Sequence, residues 1–140
     1  AQRERFIDSI LGTLQAGSRV CVWGLSFKPK TDDMREAPSL DIIPALLKAG
    51  MTVATYDPVA MDRARPMLPA GVEYAGSAME AAKGADALVL VTEWDIFRGQ
   101  SFKDVAAAMK GLHVFDGRNI YEPSEVKDAG LIYHGIGVPA

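Results

Sequence analysis

Apolar residues recur along this chain in two rhythms, and the alternation between them lays out the secondary structure. Phe6, Ile7, Ile10, Leu11 and Leu14 share one face of a helix that ends near Gly17, a residue suited to the left-handed turn that closes helices. Between Arg19 and Leu25 the rhythm changes to a short apolar run, and Val20-Cys21-Val22-Trp23 reads as the first strand. A helix is predicted from Pro38 to Ala49, with Pro38 in its first turn and Gly50 at its end. Pro44 lacks the N–H that a helix interior needs, so a kink or a late start is predicted there. Thr52 to Tyr56 forms the second strand, stopped by Asp57-Pro58, and a short polar helix follows. Val72-Glu73-Tyr74 is the third strand, Ser77 caps a helix that runs to Lys83, and Ala87 to Val91 is the fourth strand. A helix from Ser101 to Met109, a strand at His113-Val114-Phe115, a helix from Ser124 to Ala129 and a strand at Leu131-Ile132-Tyr133 complete the series.

Strands that alternate with helices require right-handed crossovers, and these give a parallel sheet. The predicted fold is therefore α/β: a Rossmann-like, doubly wound parallel sheet in a three-layer sandwich. In the common strand order 3-2-1-4-5-6, a ligand crevice opens between strands one and four. The first helix has an apolar stripe and no earlier helix to cover it. Residues 1–17 therefore read as the end of a connector, and residues 18–140 as the α/β domain. Without an initiator methionine or a signal region, the chain reads as cut from something longer.

Three polar loops meet at one edge of such a sheet. After strand one comes Gly24 to Glu36, longer than the roughly 2–6 residues that chain reversal needs. It carries Lys28, Lys30 and Arg35, interleaved with Asp32, Asp33 and Glu36, and phosphate recognition is its natural reading. After strand four comes Thr92-Glu93-Trp94-Asp95, and after strand five Asp116-Gly117-Arg118-Asn119. Gly117 lets the backbone approach closely, and Arg118 offers a planar bidentate fork for a phosphate or sugar oxygen.

Composition narrows the field. The 140 residues, 49% hydrophobic and 24% charged, make one ordinary domain, which buries about two thirds of its unfolded surface. A net charge of -3 argues against a general nucleic-acid or anionic-membrane binder, since such surfaces need a basic excess. The longest apolar run, Ala87 to Val91, is far short of the roughly 18 residues that cross a bilayer. The single cysteine, Cys21, rules out an internal disulfide framework and fits a reducing, cytoplasmic setting.

Four motifs together carry a resemblance over nearly the whole chain. Gly24 to Pro38, Tyr56-Asp57-Pro58, Val91-Thr92-Glu93-Trp94 and Phe115-Asp116-Gly117-Arg118-Asn119 resemble, in order, the C-terminal domain of the UDP-glucose/GDP-mannose dehydrogenase family. Thr92-Glu93-Trp94 leans toward the UDP-glucose branch over the GDP-mannose and UDP-N-acetylmannosamine branches. The resemblance implies an enzyme in which an N-terminal NAD-binding domain, a connector helix and this domain together enclose a UDP-sugar, in a homo-oligomeric parent protein. It implies that Phe27, Lys28 and Arg118 contact the UDP-sugar, and that Arg35 reaches NAD bound to the other domain. The family oxidises the sugar C6 alcohol twice, through a thiohemiacetal on a cysteine, and consumes two NAD. This chain carries neither that cysteine nor the Gly-x-Gly-x-x-Gly turn, so the segment alone is expected to bind without turnover.

Structural readings stand beside these. Cys21 reads as a buried, inert thiol over a nucleophile, Asp57 as part of an Asp-Pro turn over a ribose-binding carboxylate, and Trp94 as a cap on the core over a stacking platform for a base. Lys30 is either a solvated loop lysine or a member of the cation cluster. His113 and His134 lie far apart in sequence and make no ligand spacing, so no metal site is predicted. Two other classes fit the sequence less well. A free-standing dinucleotide module would carry a tight glycine turn after strand one, and a purely structural domain would leave three convergent polar loops, two of them cation-bearing, unexplained.

Overall fold

The computed structural model describes residues 2–136. Its elements are α1 (Gln2–Thr13), β1 (Arg19–Trp23), α2 (Ser39–Lys48), β2 (Thr52–Tyr56), α3 (Met61–Ala64), β3 (Val72–Tyr74) and α4 (Ala78–Ala82). They continue with β4 (Ala87–Leu90), α5 (Asp95–Arg98), α6 (Phe102–Ala108), β5 (His113–Asp116), α7 (Pro123–Asp128) and β6 (Ile132–Gly135). The sheet has the order β3-β2-β1-β4-β5-β6, and every pairing is parallel. This is the predicted doubly wound order, with β1 and β4 side by side at the switch point.

A strand covered on both faces is a near-continuous apolar run, and β1 follows this rule after Arg19 at its start: Val20 to Trp23 are all buried. Val20 and Val22 join one core layer with Phe6, Ile10, Ile43, Leu46 and Phe115. Cys21 and Trp23 point the other way, into a layer with Leu88, Leu90, Phe97, Val105 and Val126. The indole of Trp23 stacks on Phe97 at 5.1 Å and donates to the Ala78 carbonyl, so its one polar atom is satisfied.

Several local expectations shift. The stripe of α1 is covered by this domain itself: Phe6 and Ile10 are buried in its core, and Arg3 pairs with Asp41 of α2 at 2.7 Å. The stripe therefore needs no other domain to explain it. Helix α2 starts at Ser39 and passes through Pro44 as one element. It has no late start, because the Ser39 hydroxyl donates to the Leu25 carbonyl at 2.6 Å and ties the helix start to the end of β1. The turn α5 was not predicted, since four residues are too few to show a periodicity; burial of Phe97 holds it. Ser77 caps α4 as predicted, accepting from Glu80 N–H while Glu80 accepts from Gly76 N–H.

Candidate functional site

At the C-terminal edge of β1 the backbone must pass very close to the exit of β4. Gly24 has φ +95, and a Cβ there would lie 2.5 Å from the Thr92 side chain, so only glycine fits. Thr92 Oγ1 donates to the Ser26 carbonyl at 2.6 Å, which ties the first loop to the second. Asp57 binds the same point from β2. Its Oδ2 accepts from Leu25 N–H at 2.8 Å, Ser26 N–H at 3.2 Å and Trp94 Nε1–H at 3.2 Å. Its Oδ1 accepts from Val59 N–H and Ala60 N–H at 2.9 and 2.8 Å. The Asp-Pro turn is thus real, and the carboxylate also ties together the loops that follow β1 and β4. Trp94 packs against the core, in line with its reading as a cap.

Further along, the first loop closes on itself. Phe27 N–H donates to the Asp33 carbonyl at 2.9 Å, and Lys30 and Glu36 sit at φ 66 and 56. Arg35 meets Asp33 through a full fork, Nε to Oδ1 at 3.0 Å and Nη2 to Oδ2 at 2.8 Å. The Arg35 side chain and its backbone N–H hold the Asp33 carboxyl at about 2, well below the usual range.

Arg118 is fixed at the third loop. Asp116 is fully buried and accepts from Arg118 N–H at 3.1 Å, Tyr121 N–H at 2.8 Å and Tyr133 Oη at 3.0 Å, which shapes the turn. Gly117 is obligatory: a Cβ would meet the Leu90 carbonyl at 2.5 Å. The Arg118 guanidinium donates to Glu93 Oε2 from Nε at 3.1 Å and from Nη2 at 2.9 Å. Glu93 Oε1 is buried and has no hydrogen-bond partner among the described residues, a state that costs about 1–3 kcal/mol.

The three predicted loops therefore converge, chained by Ser26–Thr92 and Glu93–Arg118. Their predicted ligand residues do not share one cavity. Arg118 lines a cleft of 840 Å³ between α1, α2 and the ends of β4 and β5, with Phe6, Ile42, Leu90 and Val91. Arg35 lines a smaller cleft of 340 Å³ with Asp32, Asp33, Arg63 and Met67. Lys30 joins Glu93, Trp94 and Arg98 around a third, of 450 Å³. Phe27, 41% exposed, and Lys28 stand on the loop surface.

The two histidines, far apart in sequence, meet in space. Parallel pairing of β5 with β6 sets His113 Nδ1 2.9 Å from His134 Nε2, and His134 stacks on Phe115 at 4.3 Å. Burial and the neighbouring His113 push the His134 pKa down. Among the described residues no group of three or more ligating side chains forms a metal site. Nor is any described helix long and apolar enough to cross a membrane. Sequence reasoning missed the Asp57 hub and the Glu93 contact, although Asp57 at a strand end and Glu93 in a loop of the edge were both visible.

Residues 21–123 match the family described as the UDP-glucose/GDP-mannose dehydrogenase family, UDP binding domain. A UDP-glucose 6-dehydrogenase of Pseudomonas aeruginosa is 46% identical over 148 residues, covering 99% of this chain and 33% of that protein. The structure of a UDP-glucose dehydrogenase from Pyrobaculum islandicum superposes with a TM-score of 0.75 at 30% identity, over 99% of this chain and 29% of the other. A UDP-D-ManNAc dehydrogenase from Pyrococcus horikoshii gives 0.74 at 26% identity, over 96% and 30%. The chain spans about a third of the length of these relatives.

Proposed function

Because the chain belongs to the UDP-glucose/GDP-mannose dehydrogenase family as its UDP-binding domain, we propose that it binds UDP-glucose for oxidation to UDP-glucuronate by NAD within a longer dehydrogenase. The observation that carries this reading is the hydrogen-bonded chain of three loops, bearing Lys28 and Arg118, at the edge where β1 and β4 part. Ligands of doubly wound sheets gather at that edge. Lys28 supplies a mobile point charge for the diphosphate, Phe27 an exposed ring, and Arg118 a fixed planar donor. The greater identity to UDP-glucose enzymes, and Thr92-Glu93-Trp94, favour UDP-glucose over UDP-N-acetylmannosamine or GDP-mannose.

The crevice of this sheet does not itself fit NAD. Asp57 stands where a dinucleotide fold places its ribose acceptor, yet backbone and indole donors occupy both its oxygens, and Gly24 is packed on Thr92. NAD is therefore assigned to an N-terminal partner domain of the same protein, with Arg35 reaching it from this side and α1 as the end of the connector. A homo-oligomeric parent protein working in the cytoplasm completes the proposal.

The test is NMR titration of the chain with UDP, UDP-glucose and GDP-mannose. Uridine-dependent shifts of Lys28, Arg118 and their neighbours are expected at millimolar ligand, weak because the partner domain is missing. A folded sample without uridine-dependent shifts would falsify the reading.

A further inference from the structure

We propose that Glu93 is the positioning residue for Arg118, holding its guanidinium edge-on toward the large cleft so that the outer N–H groups are free for a diphosphate; this rests on the UDP-sugar reading above. Both partners stand on anchored backbone. Thr92 is tied to the Ser26 carbonyl at 2.6 Å, and Trp94 to the Thr92 carbonyl and to Asp57 at 2.9 and 3.2 Å, so Glu93 sits between two fixed neighbours. Gly117 N–H donates to the Leu90 carbonyl at 2.9 Å and Arg118 N–H to Asp116 at 3.1 Å, so the arginine cannot shift at its root. Glu93 takes up Nε and one Nη2 hydrogen, the inner edge of the guanidinium, and leaves the Nη1 side open. It does so from behind: Arg118 lines the cleft beside α1 and α2, whereas Glu93 lines the one beside Trp94, and the ion pair forms the wall between them.

The geometry is that of positioning, not of a stabilising bridge. Asp33 meets Arg35 with both oxygens, the arrangement that satisfies a carboxylate. Glu93 uses Oε2 alone and leaves Oε1 buried without a donor, so the pair carries a desolvation cost that an apolar side chain would not. A carboxylate kept at such a cost, on rigid backbone and against an arginine that lines the cleft, is explained by what it does for that arginine.

The experiment compares the full chain with Glu93→Ala, Glu93→Gln and Arg118→Ala. It reads UDP affinity by NMR, the Arg118 Nε–H resonance, and Tm. Glu93→Ala is expected to weaken UDP binding about tenfold. It should also erase the protected Nε–H signal and leave Tm unchanged or higher. Glu93→Gln, which keeps a carbonyl acceptor, should recover most of the affinity. Added to Arg118→Ala, Glu93→Ala should cost nothing more, because the two act as one unit. If Glu93→Ala fails to fold, Glu93→Asp, which withdraws the carboxylate by one methylene, should show the same loss. A Glu93→Ala chain that binds UDP as tightly as the unsubstituted one, or whose loss adds in full to that of Arg118→Ala, overturns the assignment and leaves the binding reading standing. An unsubstituted, folded chain that binds no UDP overturns both.

Discussion

Two carboxylates at the exits of β2 and β4, the strands that flank β1, have opposite fates, and the difference decides what each residue can do. Asp57 is saturated by five N–H donors and is therefore architecture, whereas Glu93 spends one oxygen on Arg118. That makes the chemistry of Arg118 sensitive to shape as well as charge. Arg118→Lys retains the charge but cannot serve Glu93 and a phosphate together. It should weaken UDP-glucose binding by about 1–3 kcal/mol, roughly five- to 150-fold. Lys28→Arg should be milder, because Lys28 is exposed on a long loop and its proposed role is that of a point charge. Calorimetric titration of the two variants gives the comparison. Equal affinity for Arg118→Lys and the unsubstituted chain would reduce Arg118 to a surface cation.

At the scale of elements, the sequence made the strands and their order legible because Val20 to Trp23 of β1 and all of β4 are apolar and each run is followed by a polar loop. What stayed hidden depended on contacts between distant residues. The four residues of α5 show no period, and the His113–His134 contact exists only through the register of β5 on β6. The stripe of α1 was visible, but its partner, this domain's own core, was not. Asp57 was legible as a turn residue, while its grip on Leu25 and Ser26 required the β1–β2 register. Since four backbone N–H groups depend on it, Asp57→Ala should lower unfolding free energy by at least about 3 kcal/mol in urea denaturation. A loss of stability within about 0.5 kcal/mol, the size of an ordinary surface change, would mean that Asp57 is free to hold a ligand after all.

For the whole molecule, the proposed function makes the site one wall of a larger enclosure. Cys21 is fully buried in mid-strand, and burial drives its thiol pKa up, so it cannot serve as the nucleophile of a thiohemiacetal. The dinucleotide crevice is filled by Asp57 and closed by the Gly24–Thr92 contact. Mixed with UDP-glucose and NAD, this chain should therefore form no NADH, and absorbance at the reduced nicotinamide band checks this directly. Arg35 distinguishes the two ligands in the proposed longer protein. Its side chain is 89% exposed, is braced at its root by Asp33, and faces a cleft apart from the one that Arg118 lines. Arg35→Ala should accordingly raise the KM for NAD several-fold more than the KM for UDP-glucose, in steady-state kinetics with each substrate varied in turn. The loss of a bidentate-capable guanidinium from a phosphate contact is worth roughly 1.5–3 kcal/mol, so the NAD effect should exceed tenfold. If the sugar KM moves and the NAD KM does not, Arg35 belongs to the sugar side, and the two clefts must be parts of one ligand path.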